Sequence, residues 1–356
     1  MAEARFAEPG IASNAQSPGS LGVQPLVSVI IPCLNVRAEL PDCLKSLEDQ
    51  TYTNLEIVVV DNGSTDSTAE YVAKYWQSAK LLHSERNLGY AGGCHYGATA
   101  SGGEFLLFCD SDIEAKPNAV TELIHAMGSD LRIGIAQSKM LLARDPSRIE
   151  SMGGYFTSTG ILYQEGRDSL DQGFEGPPRE VFGAKGAFMV IRRDLYFDLG
   201  GFDVEYIAQY EDTDLCWRAW LAGHRVVVVP KSAVLHGRSI TTKRLASEFV
   251  LFHASKNRIC TLIKNLSPGE LFQVLPLHLL ITLGGICFLS IRFRFSDAFS
   301  LLRAIGWNIR QLPHTLRKRK KAWGEVHPDA QNRPPHLRRR MPIGYLLSSG
   351  RALLGS

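Results

Sequence analysis

Leu55-Glu56-Ile57-Val58-Val59-Val60-Asp61-Asn62-Gly63-Ser64 is an apolar run that stops at an acid and a turn. A continuous Val/Ile run predicts a strand buried on both faces, because a half-exposed strand would alternate. The closing Asp-Asn-Gly-Ser is turn and helix-capping chemistry. The same grammar recurs on either side. Val27-Ser28-Val29-Ile30-Ile31 runs into Pro32-Cys33-Leu34-Asn35, and Phe105-Leu106-Leu107-Phe108-Cys109 is closed by Asp110-Ser111-Asp112. Helical segments fall between these runs. Leu40, Cys43, Leu44 and Leu47 keep i, i+3, i+4, i+7 spacing, and Thr65–Trp76 reads as a second helix. A short strand around Leu81-Leu82 leads to Asn87-Leu88-Gly89-Tyr90-Ala91-Gly92-Gly93 and a helix of small residues. Strand and helix in alternation predict a mostly parallel α/β sheet.

Beyond residue 130 the rhythm changes. Gly-rich β-like segments (Gly153–Tyr163, Val181–Ile191), a helix at Glu211–Ala222 and a strand at Val226–Val229 predict a mixed half that completes a cleft. The chain has 356 residues, 45% hydrophobic and 21% charged, which allows a sizeable core and excludes global disorder. Residues 1–24 lack a basic segment followed by an apolar one, and read as a disordered leader rather than a secretory signal. The cysteines at 33, 43, 94, 109, 216, 260 and 287 are odd in number and contain no C-x-x-C, which excludes a zinc ribbon and suggests a reducing compartment.

The net charge of +3 hides an asymmetry. Residues 292–340 carry 13 Lys+Arg against 3 Asp+Glu, which leaves the first 291 residues acidic. Leu271–Ile291 has no charged residue, and 21 residues of helix would extend about 31 Å, near the thickness of a bilayer core. A full span would put the body and the basic tail on opposite sides, against the positive-inside tendency, so an interfacial or re-entrant helix is expected. In 299–316, Leu302, Ile305, Ile309, Leu312 and Leu316 fall within an arc of about 80°. Arg303, Arg310 and Arg317 form a separate stripe, and Pro313 is expected to break or kink the helix. With Arg317-Lys318-Arg319-Lys320-Lys321 behind it, this segment predicts binding to an anionic membrane surface, the bland alternative being a solvated or docked helix. No aromatic interleaving accompanies the charges, so no nucleic-acid partner is expected.

In a parallel sheet, ligands gather outside the carboxyl ends of the strands, where Pro32–Asn35, Asp61–Asp66 and Asp110–Asp112 all fall. Two carboxylates at i and i+2 can face a divalent cation that also holds a diphosphate. Asp110-Ser111-Asp112 closes a strand and suits that role. The second such pair, Asp212-Thr213-Asp214, opens a helix, where acids also favour the helix dipole. Trp217 and Arg218 read as helix core and a structural ion pair.

Taken in order, these motifs resemble a family 2 glycosyltransferase of GT-A fold, nearest the rhamnosyltransferase and galactofuranosyltransferase-like branch. They continue through Gly183-Ala184-Lys185-Gly186-Ala187-Phe188-Met189, Gly200-Gly201-Phe202-Asp203 and Glu211-Asp212-Thr213-Asp214-Leu215-Cys216-Trp217-Arg218, covering roughly residues 25–240. The resemblance implies a Rossmann-like, mostly parallel sheet with a mixed acceptor-side half (residues 25–245), C-terminal membrane-associated helices (246–322) and a basic tail (323–356). It implies inverting transfer from a nucleotide-diphosphate sugar to a lipid-linked or polysaccharide acceptor at the cytoplasmic membrane face, peripheral or monotopic. Pro32, Asn35, Asp61 and Asn62 would hold the base, and Asn87 and Gly89 would line the nucleotide pocket. Asp110 would face the ribose or the metal, and Asp112 and His236 would bind Mn²⁺ or Mg²⁺. Gly186, Ala187 and Glu211 would lie near donor sugar and acceptor, with Asp212 as general base. Asp-Asn rather than Asp-Asp at 61–62 hints at a deoxythymidine-diphosphate sugar such as dTDP-rhamnose. A nucleotidyltransferase would want a Gly-rich, Lys/Arg-bearing loop after the first strand, where this chain has Pro32-Cys33-Leu34-Asn35. A non-catalytic membrane scaffold would have lost the acids at 112 and 212, and both are present.

Overall fold

The computed structural model describes residues 24–237, 246–324 and 338–339. The leader through residue 23 and most of the basic tail lie outside the described residues. Strands β1 (Val27–Cys33), β2 (Leu55–Asp61), β3 (Lys80–His83) and β4 (Phe105–Cys109) are parallel, in the spatial order β3-β2-β1-β4. Their continuous apolar runs are explained by burial on both faces. Val29, Ile31, Val59 and Leu107 enter one core, while Ile30, Val58, Leu106 and Phe108 enter the other. Helix α1 (Leu40–Glu48) covers the first face with Leu40, Cys43, Leu44 and Leu47. Helix α2 (Thr68–Tyr75) follows β2, and α3 (Gly89–Ala100) lies on the other face. A Cβ at Gly97 of α3 would come within 2.5 Å of Ile30, so its small residues let the helix settle onto the sheet. Because β4 lies on the far side of β1 from β2, the strand order reverses between the ends of β1 and β4, which is where such sheets bind ligands.

The mixed half adds β5 (Ile113–Ala115), α4 (Ala119–Ser129), β6 (Ile133–Leu142), β7 (Asp145–Ser151), β8 (Gly154–Thr157), β9 (Leu162–Gln164), β10 (Arg179–Glu180) and β11 (Phe188–Arg192). After α5 (Arg193–Asp198) and α6 (Glu211–Leu221) comes β12 (Arg225–His236). Strand β11 is antiparallel to both β4 and β6, and β12 is parallel to β6. The expected parallel sheet with a mixed half is what forms.

Two local differences from the sequence reading have physical causes. Helix α2 starts at Thr68 rather than Thr65, because the preceding residues are bound elsewhere. The Thr65 N–H donates to Asn35 Oδ1 (2.7 Å) and the Arg37 N–H to Asp66 Oδ2 (3.0 Å). The strand expected at Val226–Val229 continues to His236, after a register shift between Val229 and Ala233 that accommodates Pro230. The break expected at Pro313 in 299–316 is present: the first helix ends at Arg310, and Pro313 falls in the first turn of the next.

The C-terminal helices are α7 (Ser247–Asn265), α8 (Pro268–Ile291), α9 (Phe295–Arg310) and α10 (Leu312–Gly324). Ser267 and Glu270 form a capping box on α8, and Pro276 does not interrupt the helix. Helix α8 is long and apolar enough to cross a membrane by length and composition alone. One of its faces packs inward through Val274, His278, Thr282 and Leu289. Leu262 of α7, Leu266 just beyond its end and Val274 of α8 join Trp217 and Leu221 of α6 in a third core. Phe272, Leu280 and Ile291 of α8, with Phe299, Leu302 and Ile309 of α9, are exposed. Packing consumes part of the basic cluster. Lys318 pairs with Asp203 and Glu205, and Arg319 donates to carbonyls at the end of α7, whereas Arg317, Lys320 and Lys321 stay exposed.

Candidate active site

The loop after β4 carries Asp110 and Asp112, and its conformation sets where they point. The Asp110 N–H donates to the Ala187 carbonyl (2.8 Å), and β5 begins immediately at Ile113. Strand β5 pairs antiparallel with the end of β12, with Ile113 opposite His236. That pairing brings His236 to two acids more than 120 residues earlier in the chain. One ligand atom from each of Asp110, Asp112 and His236 falls in a cluster no wider than 4.8 Å.

The imidazole is fully buried, and its two nitrogens are differently engaged. Nδ1 lies 2.5 Å from Glu150 Oε2. Glu150 is also paired with Lys185 (2.5 Å). Burial would raise the Glu150 carboxyl, but His236 and Lys185 hold it down to about 2. Nε2 has no hydrogen-bond partner and faces Asp112 Oδ1 at 3.3 Å and Asp110 Oδ2 at 3.5 Å. Burial opposes a charge on the ring, yet the surrounding carboxylates raise its proton affinity well above that of an ordinary histidine. An orphaned Nε2 aimed between two carboxylates, with Nδ1 fixed by a third, is the donor set of a divalent cation with its outer partner in place. The residues present therefore fit Mn²⁺ or Mg²⁺.

Across the cleft, α6 presents the second acidic pair, and its two aspartates divide. Asp212 Oδ2 accepts from the Gly186 N–H (2.9 Å) and Oδ1 from the Thr213 N–H (2.5 Å). Asp212 keeps partial solvent access, and burial raises its carboxyl above the usual value. Glu211 is buried, its Oε2 is unpartnered, and burial together with Asp212 pushes its carboxyl well up. Asp214 points away from the cleft to Arg218 (2.9 Å) and Lys264 (2.8 Å). Trp217 is core. The Tyr90 hydroxyl donates to the Gly186 carbonyl (2.9 Å), joining α3 to the same turn, and Ala187 is buried beside it.

At the β1 and β2 ends the expected residues divide between shaping the pocket and facing it. Asn35 adopts φ 54°, and its side-chain oxygen is taken by Thr65. Asp61 is fully buried and accepts from the Ser64 N–H (3.1 Å), with His83 Nδ1 at 2.8 Å. Pro32 ends β1 beside them. Asn62 donates to the Gly89 carbonyl (3.3 Å) and leaves its own buried Oδ1 unpartnered. Asn87, exposed, turns the chain by accepting from the Gly89 N–H (2.8 Å). Gly89 has φ +71°, and a Cβ there would meet Ile207 at 2.6 Å.

The α7 contribution was not legible in the sequence. Ile207, Gln209 and Tyr210, which lead into Glu211, all have positive φ (59°, 73° and 71°). Such backbone persists only where its surroundings over-determine it. Asn257 of α7 supplies this, its amide reaching the carbonyls of Tyr206 (2.9 Å), Ala208 (2.8 Å) and Gln209 (2.6 Å). Lys264 and Asn265 hold Asp214 from the same helix. The repeated Lys-Asn pairs at 256–257 and 264–265 are the signal that could have suggested this polar face. Asn257→Ala is expected to destabilise the fold by about 3 kcal/mol, since it orphans buried carbonyls as well as losing hydrogen bonds. A denaturation midpoint equal to wild type would show that the loop holds itself.

Residues 28–196, just under half of the chain, match the model of the family described as glycosyl transferase family 2. The chain is similar to the glycosyltransferase GlyG of Streptococcus pneumoniae, 32% identical over 115 residues, covering 31% of this chain and 38% of that protein. It is also similar to the N-acetylglucosaminyl-diphospho-decaprenol L-rhamnosyltransferase of Mycobacterium tuberculosis, 26% identical over 237 residues, covering 60% of this chain and 76% of that one. With the first curated relatives, the match spans only about a third of their length. Among solved structures, S. aureus TarS 1–349 in complex with UDP-GlcNAc has a TM-score of 0.55 at 19% identity, covering 84% of this chain and 89% of that one. GalNAc-T7 with UDP, GalNAc and Mn²⁺ also gives 0.55 at 19%, covering 67% and 48%. These likenesses establish the shared GT-A fold.

Proposed function

We propose that the chain transfers a sugar, with inversion, from a nucleotide-diphosphate donor to a hydroxyl of a lipid-linked or cell-surface glycan. The observation that carries this is the separation of two acidic sets at one sheet edge. Asp110, Asp112 and His236 form a cation-binding group, while Asp212 stands apart with its carboxylate oriented by two backbone N–H groups. In this reading Asp212 takes the proton of the acceptor hydroxyl as its oxygen bonds to the anomeric carbon. The bond from that carbon to the donor phosphate oxygen breaks, and the nucleoside diphosphate leaves. A bound Mn²⁺ or Mg²⁺ would stabilise the leaving charge. In this reading Gly186 and Ala187 border the sugar, and Glu211, its carboxyl pushed up by burial, lies beside the base.

The base of the nucleotide would lie between the Pro32–Asn35 loop and Asn62. Asp61 and Asn87 shape that trough, and the free Asn62 oxygen suits an imide N–H of uracil or thymine. A pyrimidine donor such as dTDP-rhamnose agrees with that acceptor and with the rhamnosyltransferase likeness. The same relative's name specifies a diphospho-lipid acceptor, which we carry over as the acceptor class. Donor hydrolysis across UDP-, dTDP- and GDP-sugars, with and without Mn²⁺, tests the reading. Metal-dependent cleavage of one donor supports it, and no cleavage or binding of any donor would leave a non-catalytic scaffold.

The exposed apolar face of α8 and α9, bordered by Arg292, Arg294, Arg303 and Arg310, is read as a monotopic attachment to an anionic, cytoplasmic membrane face. Folding of α8 back against α7 and α9 favours lying in the interface over spanning. Phe272→Asp with Leu280→Asp is expected to abolish flotation of the full chain with phosphatidylglycerol vesicles. Unchanged flotation would remove α8 from the attachment.

A further inference from the structure

Most of the cations on α7 and α10 that face the body are satisfied by the protein. Lys256 donates to the Glu205 carbonyl, Lys264 pairs with Asp203 and Asp214, Lys318 with Asp203 and Glu205, and Arg319 with main-chain carbonyls. Arg258 differs. Its Nε donates to the Tyr210 hydroxyl (2.7 Å) and its guanidinium lies 5.1 Å from that ring, but among the described residues no carboxylate is within salt-bridge distance. Among the described residues its terminal nitrogens have no carboxylate to pair with, on a side chain that keeps partial solvent access.

Its position is more telling than its availability. Tyr210 directly precedes Glu211 and Asp212, in the strained turn that aims them. One helical turn along the same face of α7, Leu262 meets Val274 and His278 of α8 around Gly160. His278 is buried, its Nδ1 lies 3.0 Å from the Thr159 carbonyl, and its Nε2 has no partner. Arg258 thus stands between the turn that leads into the acidic pair and the inward face of α8, whose opposite face is the exposed apolar one. An acceptor whose hydroxyl reaches Asp212 and whose lipid lies along α8 carries its linking phosphates through this junction. Those phosphates would be repelled by Asp110, Asp112 and Asp212 unless a cation held them. A guanidinium can take two phosphate oxygens side by side.

We propose that Arg258, braced by Tyr210, is the recognition residue for the diphosphate of a lipid-linked acceptor. This deepens the reading above and rests on its acceptor class. The test is direct binding of farnesyl diphosphate to the full chain in EDTA, which removes any metal-borne diphosphate site. Wild type is expected to bind, Arg258→Gln to bind at least roughly tenfold more weakly, and Arg258→Lys to fall between, since it keeps charge but loses the fork. Farnesol should bind wild type and Arg258→Gln alike, which separates a lost phosphate contact from a misfolded protein. The proposal is overturned if farnesyl diphosphate does not bind, or if both ligands weaken equally in the variant. It is also overturned if inorganic pyrophosphate or short-chain phosphatidylglycerol binds as tightly and with the same Arg258 dependence, because the site would then take a free diphosphate or a headgroup. The donor-hydrolysis panel involves no acceptor, so either result can fail while the other stands.

Discussion

Asp212→Asn is expected to lower kcat by roughly 10²–10⁴-fold, the contribution of a positioned general base. The amide keeps the shape of the side chain, still accepts from one of Gly186 and Thr213, and cannot take the acceptor proton. The fold should survive. Burial raises the Asp212 carboxyl, so the ionised form is disfavoured in the native state. Its relative stability is fully present below the unfolded carboxylate pKa and is lost as pH rises through the folded one. Asparagine carries no such charge, so the variant should gain stability relative to wild type as pH rises, offsetting its lost hydrogen bond. In wild type, the acid limb of kcat/KM should lie above the ordinary carboxylate range, because only the deprotonated base works. Wild-type turnover by Asp212→Asn, measured by nucleoside diphosphate release, would falsify the base assignment.

The second large effect belongs to the cation cluster. Glu150→Gln should weaken Mn²⁺ binding by roughly 10–100-fold, the usual cost of losing an outer partner that fixes a ligating histidine. Asp112→Asn removes a ligand charge outright and should cost more. Manganese titration followed by electron paramagnetic resonance reads both without requiring turnover. Equal affinity in wild type and Asp112→Asn would move the cation site elsewhere. Glu150 also carries a stability cost in acid. Its carboxyl is held down to about 2 by His236 and Lys185, so its stabilisation is present above the unfolded carboxylate pKa and is lost as pH falls from there through about 2.

What could be read from the sequence follows from where interactions are local. The apolar runs at Val27–Ile31, Leu55–Val60 and Phe105–Cys109 fixed the buried strands, since a run without alternation has no solvent face to offer. The turn residues at each end located the binding edge. The spacing of Leu40, Cys43, Leu44 and Leu47 fixed α1, and the Leu271–Ile291 run fixed α8. Segment ends were read less well, because tertiary hydrogen bonds compete for them. Asn35 and Asp66 engage the backbone that would have begun α2, and Pro230 displaces the β12 register without ending the strand.

The division of labour between Asp212 and Asp214 was settled by neighbours remote in sequence, the Gly186 N–H for one and Lys264 and Arg218 for the other. His236 acquires its setting only because β5 pairs with the end of β12 and because Glu150 arrives from β7. The Asn257 clamp, the Arg258 position and the consumption of Lys318 and Arg319 by the body depend on how α7 and α10 dock. Composition, periodicity and turn residues therefore determined the sheet and the acidic motifs, because those depend on burial and local turn chemistry, and the order of the motifs carried the family resemblance. Which carboxylate faces the cleft, which histidine nitrogen is left open and which cations remain free were decided by tertiary structure alone, because each depends on partners brought together only by the fold.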